Sequence, residues 1–287
     1  MNTKDILKYY EHLETSHSPH TYKRYRLTIE ALRRYAGGDD KIDVDLANSF
    51  IAELAKRKKF GRSELVYAYA IKGLFEFVGD PRAEQINIPR PSEPIPDNPP
   101  FLYPEDVELL IAKANDVLGS EVFSPAIAVS YDLALRFGEC ANLKRSDFSR
   151  NTLMVKVVRE KQKQPMQQVL NLSPNVAEIL INYLDKRKDK EPWLFVTDKQ
   201  HRQLSINQQK MFPILCERLG IRDRATGAKP TWHILRHTRL TWMVAEGKSI
   251  AEVAKFAGHA SIASTLKYLN LCTFYGLGAY AKLREKV

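Results

Sequence analysis

Residues 87–100, NIPRPSEPIPDNPP, carry six prolines in 14 positions. Proline locks φ near −65° and has no amide donor, so this run extends neither a helix nor a sheet. It reads as a semi-rigid extended linker, and at about 3.1 Å per residue it reaches roughly 40 Å. The chain is thereby divided into residues 1–86 and residues 101–287, with a short linker between. A chain of 287 residues is long enough for two cores.

Residues 1–86 read as helices. Tyr22, Tyr25, Ile29, Leu32 and Tyr35 step at three and four, an amphipathic period. Leu46, Phe50, Ile51 and Leu54 repeat it behind Asp45 as a cap, and Val66, Tyr69, Gly73, Leu74 and Phe77 form a third run. With the opening segment this makes a bundle of about four helices.

The net charge of +10 is unevenly placed. Lys23, Arg24, Arg26, Arg33 and Arg34 stand against Glu30 alone, and Lys56, Arg57, Lys58, Lys59 and Arg62 stand with no acid among them. Clustered bases on a nearly neutral background are the footprint of a surface that follows phosphates. Solvated helix ends are the plain alternative.

Other classes fall away. Hydrophobic content of 44% and charged content of 27% describe an ordinary globular protein. No window approaches 18 apolar residues, so no membrane span is expected. The opening MNTKDILKYYEHLE has no apolar core of a signal peptide. Cys140, Cys216 and Cys272 are far apart and odd in number, and the seven histidines show no metal-ligand spacing. No disulfide framework, metal or other cofactor is expected, and the reducing cytoplasm is the default location.

In the second part, Pro104, Glu105 and Asp106 open a helix. Another apolar helix covers 126–135. Strands at 153–158 and 168–172 flank a long polar tip, a hairpin. Helices follow at 174–187, 205–219, 232–246, 249–257 and 262–270, with a short third strand at 193–196. The fold class is mainly α (α+β): an N-terminal helical bundle, then a mainly helical domain with a small antiparallel β-sheet.

The chemistry concentrates in residues 231–270, TWHILRHTRLTWMVAEGKSIAEVAKFAGHASIASTLKYLN. His233 and Arg236, three apart, share a helix face. His259 and Tyr268 are nine apart and fall on opposite sides of any unbroken helix. Gly258, Ala260 and Ser261 supply a break, with Ser261 as a cap for the helix that carries Tyr268. One hydroxyl near two imidazoles and a guanidinium suits a phosphodiester: cations hold the non-bridging oxygens while the hydroxyl attacks phosphorus. Any one piece is ordinary, since a lone tyrosine is usually a packed aromatic with a polar tip. His237, about 100° around from Arg236, reads as structural. Upstream, Arg136 follows an apolar run, and Glu139 three residues on is its natural partner.

HILRH, AGHASIASTLKY and LALRFGECANL together resemble the tyrosine recombinase (phage-type integrase) family, in its two-domain, Xer-like form. That family has Arg with Glu three residues on, a lysine on a β-hairpin, His-x-x-Arg, Gly-His, and a nucleophilic tyrosine nine residues after that histidine. The matching positions are Arg136 with Glu139, Lys163 or Lys161, His233 with Arg236, Gly258-His259 and Tyr268.

The resemblance implies a site-specific recombinase that joins DNA to Tyr268 through a 3′ phosphate and releases a 5′ hydroxyl. Arg136 and Arg236 would clamp the phosphate. By resemblance His233 would take the tyrosyl proton and His259 would bind a phosphate oxygen, roles the residues alone do not assign. Lys163, or Lys161 two residues back, would protonate the leaving oxygen. Lys144 and Arg145 would contact the DNA backbone, and the N-terminal bundle would clamp one side of the duplex.

Double-stranded DNA would be the partner, with two protomers per site and four in the synapsed complex. The enzyme would need no metal or nucleotide and would work at the nucleoid. A type IB topoisomerase-like relaxase and a non-catalytic DNA-binding protein are the alternatives. Integration, excision, inversion and dimer resolution all remain open. A simple recombinase, without an arm-binding domain before the bundle, is expected over one needing accessory sites. The tail, 271–287, is expected to form a short helix that docks on a neighbouring protomer.

Overall fold

The computed structural model describes residues 1–57, 62–89, 99–159, 166–197 and 203–284. The chain separates into two compact units, Met1–Ile95 and Pro96–Val287.

The first unit is built from α1 (Thr3–Ser16), α2 (Pro19–Ala36), α3 (Val44–Arg57) and α4 (Arg62–Phe77). The Asn2 side chain accepts the Asp5 amide at 2.9 Å and starts α1, while Ser18 followed by Pro19 starts α2. Asp43, not Asp45, caps α3, accepting the Leu46 amide at 2.8 Å. Ile6, Leu13, Ile29, Leu32, Ile71 and Leu74 fill the core. Gly73 is needed there, because a Cβ would stand 2.8 Å from the Tyr9 hydroxyl.

The second unit begins with α5 (Pro104–Leu118) and α6 (Phe123–Asp132), then the short α7 (Phe137–Ala141). Three antiparallel strands follow, β1 (Phe148–Ser149), β2 (Met154–Arg159) and β3 (Met166–Asn171), in the order β1-β2-β3. The strand expected at 193–196 is instead two isolated bridges, Lys144 to Trp193 and Val196 to Gln203. β1, only two residues long, is too short to leave a period in the sequence. On β2 the inward residues are Val155, Val157 and Arg159.

Then come α8 (Pro174–Lys186), α9 (Ile206–Arg218), α10 (His233–Ala245), α11 (Ile250–Ala257), α12 (Ala263–Phe274) and α13 (Leu277–Arg284). A large core joins α5, α6, α8 and α9 to the sheet through Leu110, Ile127, Val155, Leu180 and Phe212. Within the single chain the tail packs on its own unit. Leu277 and Ala281 of α13 bury with Phe101, Trp242 and Leu271, and Arg284 reaches Glu108 at 2.8 Å.

Candidate active site

α6 stops at Asp132, whose carboxylate accepts the Ser173 amide at 2.7 Å. The chain then turns through Ala134 at φ 48°, a left-handed conformation that costs a non-glycine residue roughly 1–2 kcal/mol. The turn aims the Ala134 carbonyl at Arg236, whose Nη1 donates to it at 2.6 Å. Arg136 follows in extended backbone as the N-cap of α7. Glu139, in the first turn, folds back on it. Its Oε2 accepts the Arg136 amide at 2.9 Å and its Oε1 accepts Arg136 Nη1 at 2.6 Å. The i,i+3 spacing is thus a helix-start geometry as well as an ion pair. Burial works to raise the Glu139 pKa, but Arg159, the Arg136 amide, Arg136 and Arg236 outweigh it and hold the carboxyl below its usual range.

α10 carries His233 at its exposed start and turns Arg236 inward, where it is 1% exposed. Besides Ala134, Arg236 donates to the Ala257 carbonyl at 2.6 Å. Burial first, then Arg136, lowers its pKa to about 10, which leaves it charged at neutral pH.

α11 ends at Gly258, φ 65°. His259 Nδ1 then lies 2.8 Å from the Thr265 hydroxyl. Ser261, expected as the cap, stands one position early: the N-cap of α12 is Ile262, without a side-chain cap bond, and the Ser261 hydroxyl accepts the Ala263 amide at 3.3 Å. α12 buries Tyr268 to 1% exposure. The His259 ring lies parallel to the Tyr268 ring, 6.5 Å away. Burial, then Arg236 and Arg136, brings the His259 pKa down to about 4.

The Tyr268 hydroxyl makes its hydrogen bond with His237, whose Nδ1 is 2.8 Å away. Sequence alone reads His237 as structural, and the structure corrects this. The two imidazoles beside Tyr268 are His237 and His259, and His233 stands edge-on to His237 at 4.5 Å between ring centroids. Burial, then His233, takes the His237 pKa down to about 2, so the ring is neutral. In its Nε2–H tautomer the imidazole accepts the phenol O–H at Nδ1. Burial raises the Tyr268 pKa to about 12 against the opposing pull of Arg236 and Arg136.

A further residue that sequence reasoning misses is Arg159, fully buried beneath this cluster and bonded to Glu139 Oε2 at 2.7 Å. A signal for it exists: counting by two from Val155 puts position 159 on the inner face.

Residues 100–273, more than half of the chain, match the phage integrase family. The chain belongs to that family.

Among its integrase-family relatives are two proteins named tyrosine recombinase XerA. The one from Thermococcus kodakarensis is 27% identical over 273 residues, covering 94% of this chain and 92% of the relative. The one from Pyrococcus furiosus is 30% identical over 229 residues, covering 77% and 74%. The fold is shared with the Tn1549 transposon integrase in complex with circular intermediate DNA. The TM-score there is 0.70 at 16% identity, over 92% of this chain and 93% of that one. It is also shared with XerH site-specific recombinase bound to palindromic difH substrate, with a TM-score of 0.64 at 17% identity, over 87% and 76%.

The other integrase-type positions fall as follows. Lys161 and Lys163 lie outside the described residues, as do Lys58 and Lys59. The side chains of Arg57 and Arg62 are likewise not described. Lys144 is exposed, with Nζ 6.0 Å from the Trp193 ring centroid. Arg145 is held by Asp189. On α2, Lys23 and Arg34 are exposed and eleven residues apart, which is close to three turns and hence one face. Arg26 is exposed and bonds the Tyr22 hydroxyl at 3.1 Å, and Arg24 lies over the Tyr67 ring. Arg33 is spent on Asp39 and Glu30. Lys56 is exposed on α3. Among the described residues no group of His, Cys, Asp or Glu side chains is placed to hold a metal ion, and no helix is long and apolar enough to cross a membrane.

Proposed function

We propose that this chain is a site-specific DNA recombinase that cuts and rejoins strands through a phosphotyrosyl bond at Tyr268. The observation that carries the assignment is a buried tyrosine whose hydroxyl meets His237 and whose ring lies parallel to His259, on the helix after the Gly258 break, in a chain of the integrase family. Guanidiniums remain charged when buried and present a planar fork, which suits a pentacoordinate phosphorane.

In the reaction, the Tyr268 oxygen attacks phosphorus and the bond to the 5′ oxygen breaks. The tyrosyl proton passes to a base, and a general acid supplies a proton to the departing oxygen. Lys163, or Lys161, is the proposed acid. His259 and His233 complete the phosphate site. The 3′-phosphotyrosyl bond keeps the diester energy, so a 5′ hydroxyl from another strand reverses the step without ATP.

His237 takes a storage role. The neutral imidazole accepts the hydroxyl's hydrogen bond and holds it until a phosphate reaches the arginines. Release costs about one hydrogen bond, on the order of 1 kcal/mol.

The first unit supplies the DNA clamp through Lys23, Arg34, Lys56 and their neighbours, and residues 87–100 link it to the catalytic domain. Two protomers occupy each site and four form the synapse. The work is done at the nucleoid.

Sequencing DNA trapped covalently on the protein in its own cell identifies the target. Two differently labelled duplexes carrying that target then test the function. Strands exchanged between duplexes support recombination, whereas relaxation of one duplex with no exchange points to a topoisomerase-like enzyme.

A further inference from the structure

Arg159 is the last of three inward residues on β2 and is 0% exposed. All three guanidinium nitrogens are engaged. Nη1 donates to Glu139 Oε2 at 2.7 Å. Nη2 donates to the Phe256 carbonyl at 2.9 Å and, more weakly, to the Leu133 carbonyl at 3.4 Å. Nε donates to Gln168 Oε1 at 3.1 Å. Gly258 makes room for it, since a Cβ there would stand 3.0 Å from Arg159 Cγ.

The carboxylate of Glu139 therefore faces three guanidiniums. Its Oε1 serves Arg136. Its Oε2 serves the Arg136 amide and Arg159. Arg236 Nη1 stands 3.9 Å from the same Oε2, outside hydrogen-bond range. One anion among three cations leaves a surplus of two positive charges, the number needed to face a pentacoordinate phosphorane. Which cations are left to face the phosphate depends on which ones the carboxylate touches. Without Arg159, Oε2 would lose the guanidinium that now bonds it. A shift of about 1 Å would then bring Arg236 into hydrogen-bonding distance of it. In a buried setting such a pair is strongly attractive. The clamp would spend Arg236 on Glu139 instead of on phosphate.

We infer that Arg159 is a positioning residue: by occupying Glu139 it keeps Arg236 from pairing with that carboxylate, so that the N–H groups of Arg236 beyond those on the Ala134 and Ala257 carbonyls remain for the scissile phosphate. This rests on the recombinase assignment. The requirement is conditional, because Arg159 matters only while position 139 carries a negative charge.

The test uses full-length protein and single-turnover formation of the covalent adduct at saturating DNA, on a nicked duplex carrying the trapped target. Binding is measured in parallel. Glu139→Gln alone should cleave more slowly than the unmodified protein. Adding Arg159→Met to Glu139→Gln should change the rate by less than about threefold. This pair removes both buried charges together, so the comparison stands even if Arg159→Met by itself does not fold. Where Arg159→Met does fold, it should bind DNA within about twofold of the unmodified protein yet lose at least about a hundredfold in cleavage. Arg159→Lys, which keeps a charge for Glu139 but cannot reach every carbonyl, should recover most of that loss.

A further loss of tenfold or more on adding Arg159→Met to Glu139→Gln would overturn the inference and make Arg159 a scaffold for the Phe256 and Leu133 carbonyls. Folded Arg159→Met that cleaves at the unmodified rate would overturn it as well. If the unmodified protein forms no adduct, the recombinase assignment itself falls, a result distinct from either.

Discussion

His237 Nδ1 sits 2.8 Å from the hydroxyl of Tyr268, so the proposed nucleophile is held by a histidine that follows directly on Arg236. Tyr268 is also 1% exposed. On the proposed reading the hydroxyl is stored here, and attack requires it to leave the imidazole. His237→Leu should therefore leave DNA binding intact and speed single-turnover cleavage by up to about fivefold, the equivalent of one net hydrogen bond. A tenfold loss in a folded variant would instead make His237 part of the proton-transfer chemistry.

The same histidine links stability to pH. Burial, then the neighbouring His233, depresses its folded pKa to about 2 from an ordinary 6.5. Below 6.5 the unfolded chain binds a proton that the folded chain does not. The stabilising contribution is thus complete above that value and declines as pH falls towards the folded pKa. Between pH 6.5 and pH 5 the loss is roughly 2 kcal/mol. Thermal unfolding of the full chain should show Tm falling over this range, and His237→Leu should flatten the fall. An unchanged slope would mean that His237 is already charged in the folded protein.

Much of the fold and most of the candidate site are legible in the amino-acid sequence. The helical periods from Tyr22 to Tyr35 and the hairpin around β2 and β3 follow from side-chain spacing, and the Gly258 break is there because only a left-handed residue ends α11 in that way. What spacing does not carry is the identity of contacts across elements. Counting along a helix pairs His233 with Arg236 and sets His237 aside, yet His237 is the partner of Tyr268. The choice is made by how α10 and α12 cross. Arg159 reads as the start of a polar hairpin tip because it is charged. Its burial depends on Glu139, twenty positions earlier, and no local pattern records that pairing. The two-residue β1 is too short to leave a period, and Asp43 and Asp45 are both capping residue types near the start of α3, of which Asp43 makes the bond.

The general acid is open to a chemical test. Lys163→Ala should abolish cleavage of ordinary DNA, because the leaving oxygen needs a proton. It should recover on a substrate with sulfur at the leaving position, since a thiolate departs without one. Recovery in Lys161→Ala and none in Lys163→Ala would move the role to Lys161.

Binding by the first unit should be steeply salt-dependent, with a log–log slope of about −0.9 for each phosphate neutralised. Replacing Lys56, Lys58 and Lys59 together should flatten the slope by up to about 3. No change would mean that these three face solvent in the complex.

The central claim is that Tyr268 becomes covalently joined to DNA. Protein incubated with its target duplex, quenched in SDS and digested to peptides should yield one nucleotide-modified peptide, with the mass on Tyr268. Tyr268→Phe, which removes only the hydroxyl, should bind the duplex normally and form no adduct. A modified peptide centred on Tyr275 or Tyr280, or an adduct that persists in Tyr268→Phe, would contradict the account.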